Sequence, residues 1–183
     1  AQPLVKQSYM DPMATFETNV MGTVHVLEAV RVSGTCRAFV NISTDKCYEN
    51  ADSLWPFREI DHLGGSDPYS SSKACADIGS MSYARSFYQG CNTWLGTARA
   101  GNVIGGGDWA DDRLIPDFIR ALIREEFMSV RFPDAVRPWQ HVLEPVFGYI
   151  LLAQNLFTNG STFMGAWNFG PSSSSWVTVS DIL

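Results

Sequence analysis

The sequence predicts an α/β fold, a parallel sheet with helices packed on it, and three observations carry that expectation. Helical periodicity and short apolar runs alternate along the chain. The runs are continuous and contain β-branched residues, as strands buried on both faces do. With 183 residues, 45% of them hydrophobic and 17% charged, the chain can bury one core.

Each element has its own signal. Residues 15–32 place Phe16, Val20, Val24 and Leu27 at helical spacing, and Gly34 stands where a helix stops. The run 38–43 reads as a buried strand, and 50–67, rich in Gly, Asp and Pro, as a loop. A second helix spans 69–88, with Ala74, Ile78, Met81 and Tyr83 as packing candidates, and 93–100 is the next strand. Helices follow at 114–124, where Pro116 is tolerated in the first turn, and at 144–157, ended by Asn159-Gly160. A short strand is expected at 167–169, and Thr178 caps a last helix. There is no internal repeat, and the serine run 172–175 is the one low-complexity segment.

Composition excludes several classes of function. A net charge of −6 without a lysine- or arginine-rich block argues against a nucleic-acid polymer as partner, while local arginines can still bind a small anion. Cys36, Cys47, Cys75 and Cys91 show neither metal-ligand spacing nor a short disulfide framework, so the expectation is a reduced, cytoplasmic chain without metal. The longest apolar stretch, 150–153, is far too short to span a bilayer. The opening Ala1-Gln2-Pro3, without methionine, reads as cut from something longer.

Two places carry chemistry. Tyr69 and Lys73 lie one turn apart on one helix face. A free phenol has a pKa of about 10, too high for a base at neutral pH, and a neighbouring ammonium lowers it. Such a pair can take the proton of an alcohol as hydride leaves its carbon. Ser43-Thr44-Asp45-Lys46 sits where the strand 38–43 ends, the side of an open α/β sheet on which ligands bind.

The segments Ile42-Ser43-Thr44-Asp45-Lys46-Cys47-Tyr48, Pro68-Tyr69-Ser70-Ser71-Ser72-Lys73 and Arg99-Ala100-Gly101-Asn102-Val103-Ile104-Gly105 resemble the extended short-chain dehydrogenase/reductase family. Within it the chain is most similar to the nucleotide-sugar 4,6-dehydratases, in particular the branch acting on CDP-glucose. That similarity runs through Asp45-Lys46-Cys47-Tyr48-Glu49-Asn50, Gly105-Gly106-Gly107-Asp108-Trp109 and Arg137-Pro138-Trp139-Gln140-His141. The resemblance implies a Rossmann-like, doubly wound parallel sheet. Its N-terminal strand–turn–helix, with the glycine-rich pyrophosphate cradle and the acidic ribose ligand, is not within this sequence, so the chain reads as an internal fragment. Residues 1–109 would be the C-terminal half of the NAD-binding domain, and 110–183 mostly a smaller, interleaved substrate-binding part.

The resemblance also implies roles. Thr44 would hydrogen-bond the sugar 4-hydroxyl, Tyr69 would take its proton, and the C4 hydride would pass to NAD, held by Tyr69, Lys73 and Ser43. The ketone acidifies C5–H. Asp45 would protonate the departing C6 hydroxyl, which requires an apolar setting to keep it protonated. Lys46, where many relatives have glutamate, would take the C5 proton as a neutral amine or stabilise enolate charge.

Gln2 (with Pro3) and Asn102 match family positions that contact the substrate. Arg113, Arg131 and Arg137 are diphosphate candidates because guanidinium groups bind phosphate in bidentate fashion, Arg137 matching a family arginine and Arg113 and Arg131 being weaker. The triple glycine 105–107 is crowded by Asp108, Asp111 and Asp112 and is read as flexible backbone rather than a phosphate cradle. Asn19 is read as structural and His141 as a packing histidine. A cytoplasmic homo-oligomer supplying deoxysugars for lipopolysaccharide O-antigen is the implied context. A nucleotide-sugar 4-epimerase, a dTDP- or GDP-sugar dehydratase and a non-catalytic relative are the competing readings. An epimerase has no need of an acid–base pair beside Thr44, and Asp45-Lys46 favours dehydration.

Overall fold

A computed structural model describes residues 1–49 and 55–183. Helices α1 (Val5–Met10) and α2 (Pro12–Phe16) lead through a wide π-helical turn (Glu17–Met21) into α3 (Gly22–Ser33). Strand β1 (Ala38–Ile42) and a 3-10 turn (Asp45–Cys47) precede α4 (Pro68–Tyr83), which a second π-helical turn (Ala84–Tyr88) extends. Then come β2 (Trp94–Ala100), β3 (Val103–Ile104), α5 (Leu114–Arg124), β4 (Val136–Pro138) and β5 (Gln140–His141). The last elements are α6 (Leu143–Asn159), β6 (Gly165–Phe169), β7 (Trp176–Thr178) and α7 (Val179–Ile182). The long predicted helices and the strands β1, β2 and β6 lie where the residue pattern places them. Residues 50–54 of the predicted loop lie outside the described residues.

The chain divides into two compact units. The first comprises Ala1–Ala100 and Phe147–Phe169. Its sheet has the order β1-β2-β6, all parallel, with Asn41 opposite Thr97 and Arg99 opposite Asn168. Successive side chains of the central strand β2 point to opposite faces. Leu95 packs with Leu27, Ala84 and Tyr88 under the α3 and α4 side, and Ala98 packs with Leu152 and Leu156 of α6 on the other. Each fully buried leucine contributes roughly 1.5–3 kcal/mol. Helices therefore cover both faces, the doubly wound arrangement expected. Gly96 permits the close approach of α6: a Cβ there would stand 3.1 Å from both Leu152 and Leu156.

Local chemistry sets the helix ends. Asp11 caps α2 by accepting from the Ala14 N–H at 3.0 Å, and Pro12 occupies the first turn. Gly34 adopts φ 63° and closes α3. The packing face of the first helix differs from expectation. Phe16 is exposed, whereas Thr15, Asn19 and Leu27 are buried. The wide turn at Glu17–Met21 inserts an extra residue and shifts the phase of the helix. Ile78 of α4 is exposed too, because the buried face of that helix is small and polar: Ser70, Ser72, Lys73, Ala76, Asp77 and Ser80.

The second unit comprises Gly101–Val146 and Gly170–Leu183. Strands β3 and β5 pair in parallel, Val103 opposite Gln140, and β4 pairs antiparallel with β7, Arg137 opposite Val177. None of these four was predicted, since two or three residues are too few to show a period. Thr178 and Asp181 close a reciprocal capping box on α7. Among the described residues no helix is long and apolar enough to cross a membrane.

Gly65 lies against the first turn of α4. A Cβ at Gly65 would come within 2.7 Å of the Ser70 carbonyl carbon and 2.8 Å of the Ser71 nitrogen, both backbone atoms. The Ser71 hydroxyl also donates to the Gly65 carbonyl at 2.7 Å. Gly65→Ala is expected to destabilise the protein by about 1–3 kcal/mol through overpacking, read as a lower urea midpoint. Gly90→Ala, at a glycine with open space around it, is the control and should leave the midpoint unchanged. Equal midpoints for both variants would contradict this packing account.

Candidate active site

The end of β1 and the start of α4 meet within the first unit. Asp67 caps α4, its carboxylate accepting from the Ser70 N–H at 2.9 Å and the Ser70 hydroxyl at 2.6 Å, with Pro68 in the first turn. This cap orients the turn carrying Tyr69, whose backbone N–H donates to the Ser8 hydroxyl at 3.1 Å. One turn on, the Lys73 ammonium donates to the Ile42 carbonyl at 3.0 Å, the last residue of β1. That bond brings the Tyr69–Lys73 helix to the strand end bearing Ser43 and Thr44. Tyr69, Thr44 and Lys73 are all buried. Burial pushes the Lys73 ammonium below the ordinary lysine value, against the pull of the nearby Asp77 and Cys47.

Thr44 caps the 3-10 turn, accepting from the Lys46 N–H at 3.4 Å, and its hydroxyl donates to Asp45 Oδ1 at 3.1 Å. Asp45 and Lys46 approach to 3.9 Å with side chains 34% and 47% exposed. Among the described residues Asp45 is thus partly open to solvent, not enclosed in the apolar setting expected. Ser43 Oγ is buried and has no hydrogen-bond partner among the described residues. An ammonium has three protons, and Ile42 takes one of them. Ser43 and Lys73 thus offer polar atoms for a nicotinamide ribose or amide, and the residues present fit that end of a dinucleotide.

Gln2 is engaged inside the unit. Its side-chain amide donates to Thr15 at 2.9 Å and its side-chain carbonyl accepts from the Leu4 N–H. Asn19, in the π-helical turn, exchanges hydrogen bonds with the Gln2 backbone at 2.8 and 3.0 Å and donates to Ser72 on α4 at 2.9 Å. It therefore links the N-terminal segment to the helix of Tyr69.

The remaining candidates lie in the second unit. Asn102 accepts at its backbone carbonyl from the Gln140 N–H at 3.1 Å. Arg113 donates to Asp108 at 2.6 Å. Arg137 and Arg131 are exposed, and Arg137 donates to the Val136 carbonyl at 2.8 Å. Two expectations are corrected there. His141 is exposed rather than packed, its Nδ1 accepting from the Leu143 N–H at 3.3 Å. Gly105 is a packing glycine, since a Cβ would meet Val142 Cγ1 at 2.7 Å.

A buried polar cluster along α4 and β2 is not apparent from local sequence pattern. Arg99 donates to Asp77 at 2.7 Å and to the Tyr48 hydroxyl at 2.8 Å, and Tyr48 donates to Asn168 at 2.7 Å. Its traces in the sequence are a lone arginine in the otherwise uncharged β2, and an acid four residues after Lys73.

Comparison with known proteins follows the same lines. The sequence model of the GDP-mannose 4,6 dehydratase family matches residues 1–164. A CDP-glucose 4,6-dehydratase of Salmonella typhimurium is 50% identical, over 100% of this chain and 52% of the relative. A crystal structure of a dTDP-glucose 4,6-dehydratase from Streptomyces venezuelae with NAD bound superposes with a TM-score of 0.81 at 25% identity, covering 100% of this chain and 52% of that one. A UDP-galactose 4-epimerase structure gives 0.82 at 28% identity, covering 100% and 57%. The fold is Rossmann-like, and the chain spans about half the length of these proteins.

Cys47, buried in the 3-10 turn, is pushed up to about 12, first by burial and next by the negative charge of Asp77. The neutral thiol's contribution is complete below the ordinary cysteine value and is lost as pH climbs through the folded one. Stability is therefore expected to fall between about pH 9 and pH 12, and Cys47→Ala should fall less steeply, by up to about 1.4 kcal/mol per pH unit. Tyr48, raised chiefly by burial, has the same sign and is retained in both chains. Urea titrations across this range measure the two slopes, and parallel slopes would contradict the assignment.

Proposed function

The chain belongs to the GDP-mannose 4,6-dehydratase family, and from that premise we propose that it carries the catalytic residues of an NAD-dependent nucleotide-sugar 4,6-dehydratase. The proposed reaction converts CDP-glucose to CDP-4-keto-6-deoxyglucose with net loss of water, making the protein a lyase. The observation that carries this reading is the bond from the Lys73 ammonium to the Ile42 carbonyl, which joins Tyr69 and Lys73 to the strand end holding Thr44 and Asp45.

Bound NAD supplies a hydride acceptor for C4 and a hydride donor for C6. The chain's own residues manage protons and position. Thr44, which donates to Asp45, would hydrogen-bond the sugar 4-hydroxyl. Tyr69 accepts the hydroxyl proton, and the Lys73 charge one turn away favours its phenolate. Once C4 is a ketone, the C5 proton is acidic and leaves to a base, for which Lys46 is the candidate. Asp45 gives its proton to the C6 hydroxyl, which departs as water. Bound sugar would complete the enclosure around Asp45 that the described residues leave open. C5 regains a proton as C6 is reduced, so the cofactor ends unchanged.

Ser43, Tyr69 and Lys73 are proposed to hold the cofactor's nicotinamide end, and Gln2, Asn102, Arg113 and Arg137 to contact the nucleotide sugar. The first unit would thus carry the redox chemistry and the second mostly the substrate. We place the whole protein in the cytoplasm as a homo-oligomer that supplies deoxysugars for lipopolysaccharide O-antigen.

In the whole protein, Tyr69→Phe is expected to lower turnover by about 10²–10⁴-fold. Near-normal turnover would remove Tyr69 from the role of base. Asp45→Asn should slow elimination more than oxidation, so reduced cofactor builds up transiently in stopped-flow absorbance; its failure to appear counts against Asp45 as the acid. Assays with CDP-, dTDP- and GDP-sugars discriminate the substrate. Preference for CDP-glucose with formation of a 4-keto-6-deoxy product is expected, while C4 inversion without water loss would establish an epimerase instead.

A further inference from the structure

The deepest charges in the first unit lie beneath the strand-end residues. Arg99 and Asp77 have side chains 1% and 0% exposed and meet at 2.7 Å. Burying two charges costs more than their attraction returns unless the remaining donors and acceptors are satisfied. Here they are. Arg99 Nη1 donates to the Tyr48 hydroxyl at 2.8 Å and the Glu59 carbonyl at 3.1 Å, and the guanidinium lies 4.8 Å from the Tyr48 ring centroid. Asp77 Oδ1 faces the Asn41 amide at 3.5 Å, and Asn41 also donates to Ser80 at 3.0 Å.

Asp77 follows Lys73 by four residues, so its carboxylate lies one turn along the same buried helix face. Left alone, a buried carboxylate at that spacing would draw the ammonium toward itself. The guanidinium occupies Asp77 Oδ2 instead, and Lys73 stays on the Ile42 carbonyl. Charged and polar groups come from other elements packed there. The 3-10 turn contributes Cys47 and the mutually paired Asp45 and Lys46, and β2 contributes Arg99. The π-helical turn contributes Asn19, an uncharged group bound to Ser72.

We propose that Asp77 and Arg99 are a positioning pair for Lys73, Asp77 supplying its counter-charge and Arg99 keeping Asp77 from drawing it off the Ile42 carbonyl. The inference deepens the proposed role of Lys73 beside Tyr69 and rests on it. Burial as the leading influence on Lys73, opposed by Asp77, agrees with this arrangement.

The chain contains only Lys6, Lys46 and Lys73, so NMR titration of ¹³Cε-labelled lysine follows each one, with K6R and K46R assigning the signals. Removing the carboxylate in Asp77→Asn should lower the Lys73 midpoint by about one pH unit. Removing the guanidinium in Arg99→Gln should raise it. A downward shift cannot come from unfolding, because an unfolded lysine titrates near 10.4, above the buried one. Asp77→Glu, which keeps the charge, should restore the wild-type midpoint. A midpoint unmoved in either variant, or moved in the same direction in both, overturns the proposal. If Asp77→Asn does not fold, the Arg99→Gln shift decides alone, with amide spectra certifying its fold. Failure of the functional reading would show separately, as absence of NAD-linked turnover by the wild-type protein.

Discussion

Arg99 stands on the central strand of the first unit with its side chain withdrawn from water, and much of that unit is arranged around satisfying it. An unpaired guanidinium in that position would cost several kcal/mol. Asp77 neutralises it from α4, Tyr48 accepts from it and stacks beneath it, and the Glu59 carbonyl takes a further proton. Tyr48 is in turn stacked on Phe57 at 4.9 Å and bonded to Asn168, whose amide reaches the Phe57 carbonyl. One cation thereby joins the helix of Tyr69 and Lys73, the turn after β1 and residues 57–59.

This requirement explains why α4 has so little apolar character. A helix covering a sheet usually presents an apolar stripe. Here the buried face offers serines, Lys73 and Asp77, and each is matched: Ser72 with Asn19, Ser80 with Asn41, Asp77 with Arg99, Lys73 with Ile42. Hydrophobic packing is carried elsewhere, by Leu27, Tyr88 and Leu95 on one face of the sheet and by Leu152 and Leu156 on the other. The polar face fixes position where the apolar clusters supply stability. The proposed transfer of protons and hydride would need the former, because small misplacements of reacting groups cost rate.

Legibility in the sequence followed range of interaction. Helices α3, α5 and α6 and strands β1 and β2 announce themselves through local periodicity and end signals such as Gly34 and Asn159-Gly160. Strands β3, β4, β5 and β7 do not, since each exists only through a partner distant in sequence. The exposed Phe16 shows a subtler failure, in which a regular 3.6-residue count is carried across a turn that does not obey it. Residue type alone points to loop flexibility at Gly105 and to packing at His141. Contacts with Val142 and Leu143 assign them different duties.

What the sequence determined by itself is the chemistry on offer: the Tyr69–Lys73 spacing, Thr44-Asp45-Lys46 at a strand end, and the order of helices and strands that makes a parallel sheet. These are local facts, written in residues a few positions apart. Only the tertiary structure decided how that chemistry is held. Lys73 rests on Ile42, thirty-one residues away, and Arg99 meets Asp77 across twenty-two. Asn19 reaches Ser72 across fifty-three. The physical reason is burial: whether a polar group is an exposed ornament or a constrained support depends on which distant group removes it from water, and spacing along the chain does not encode that.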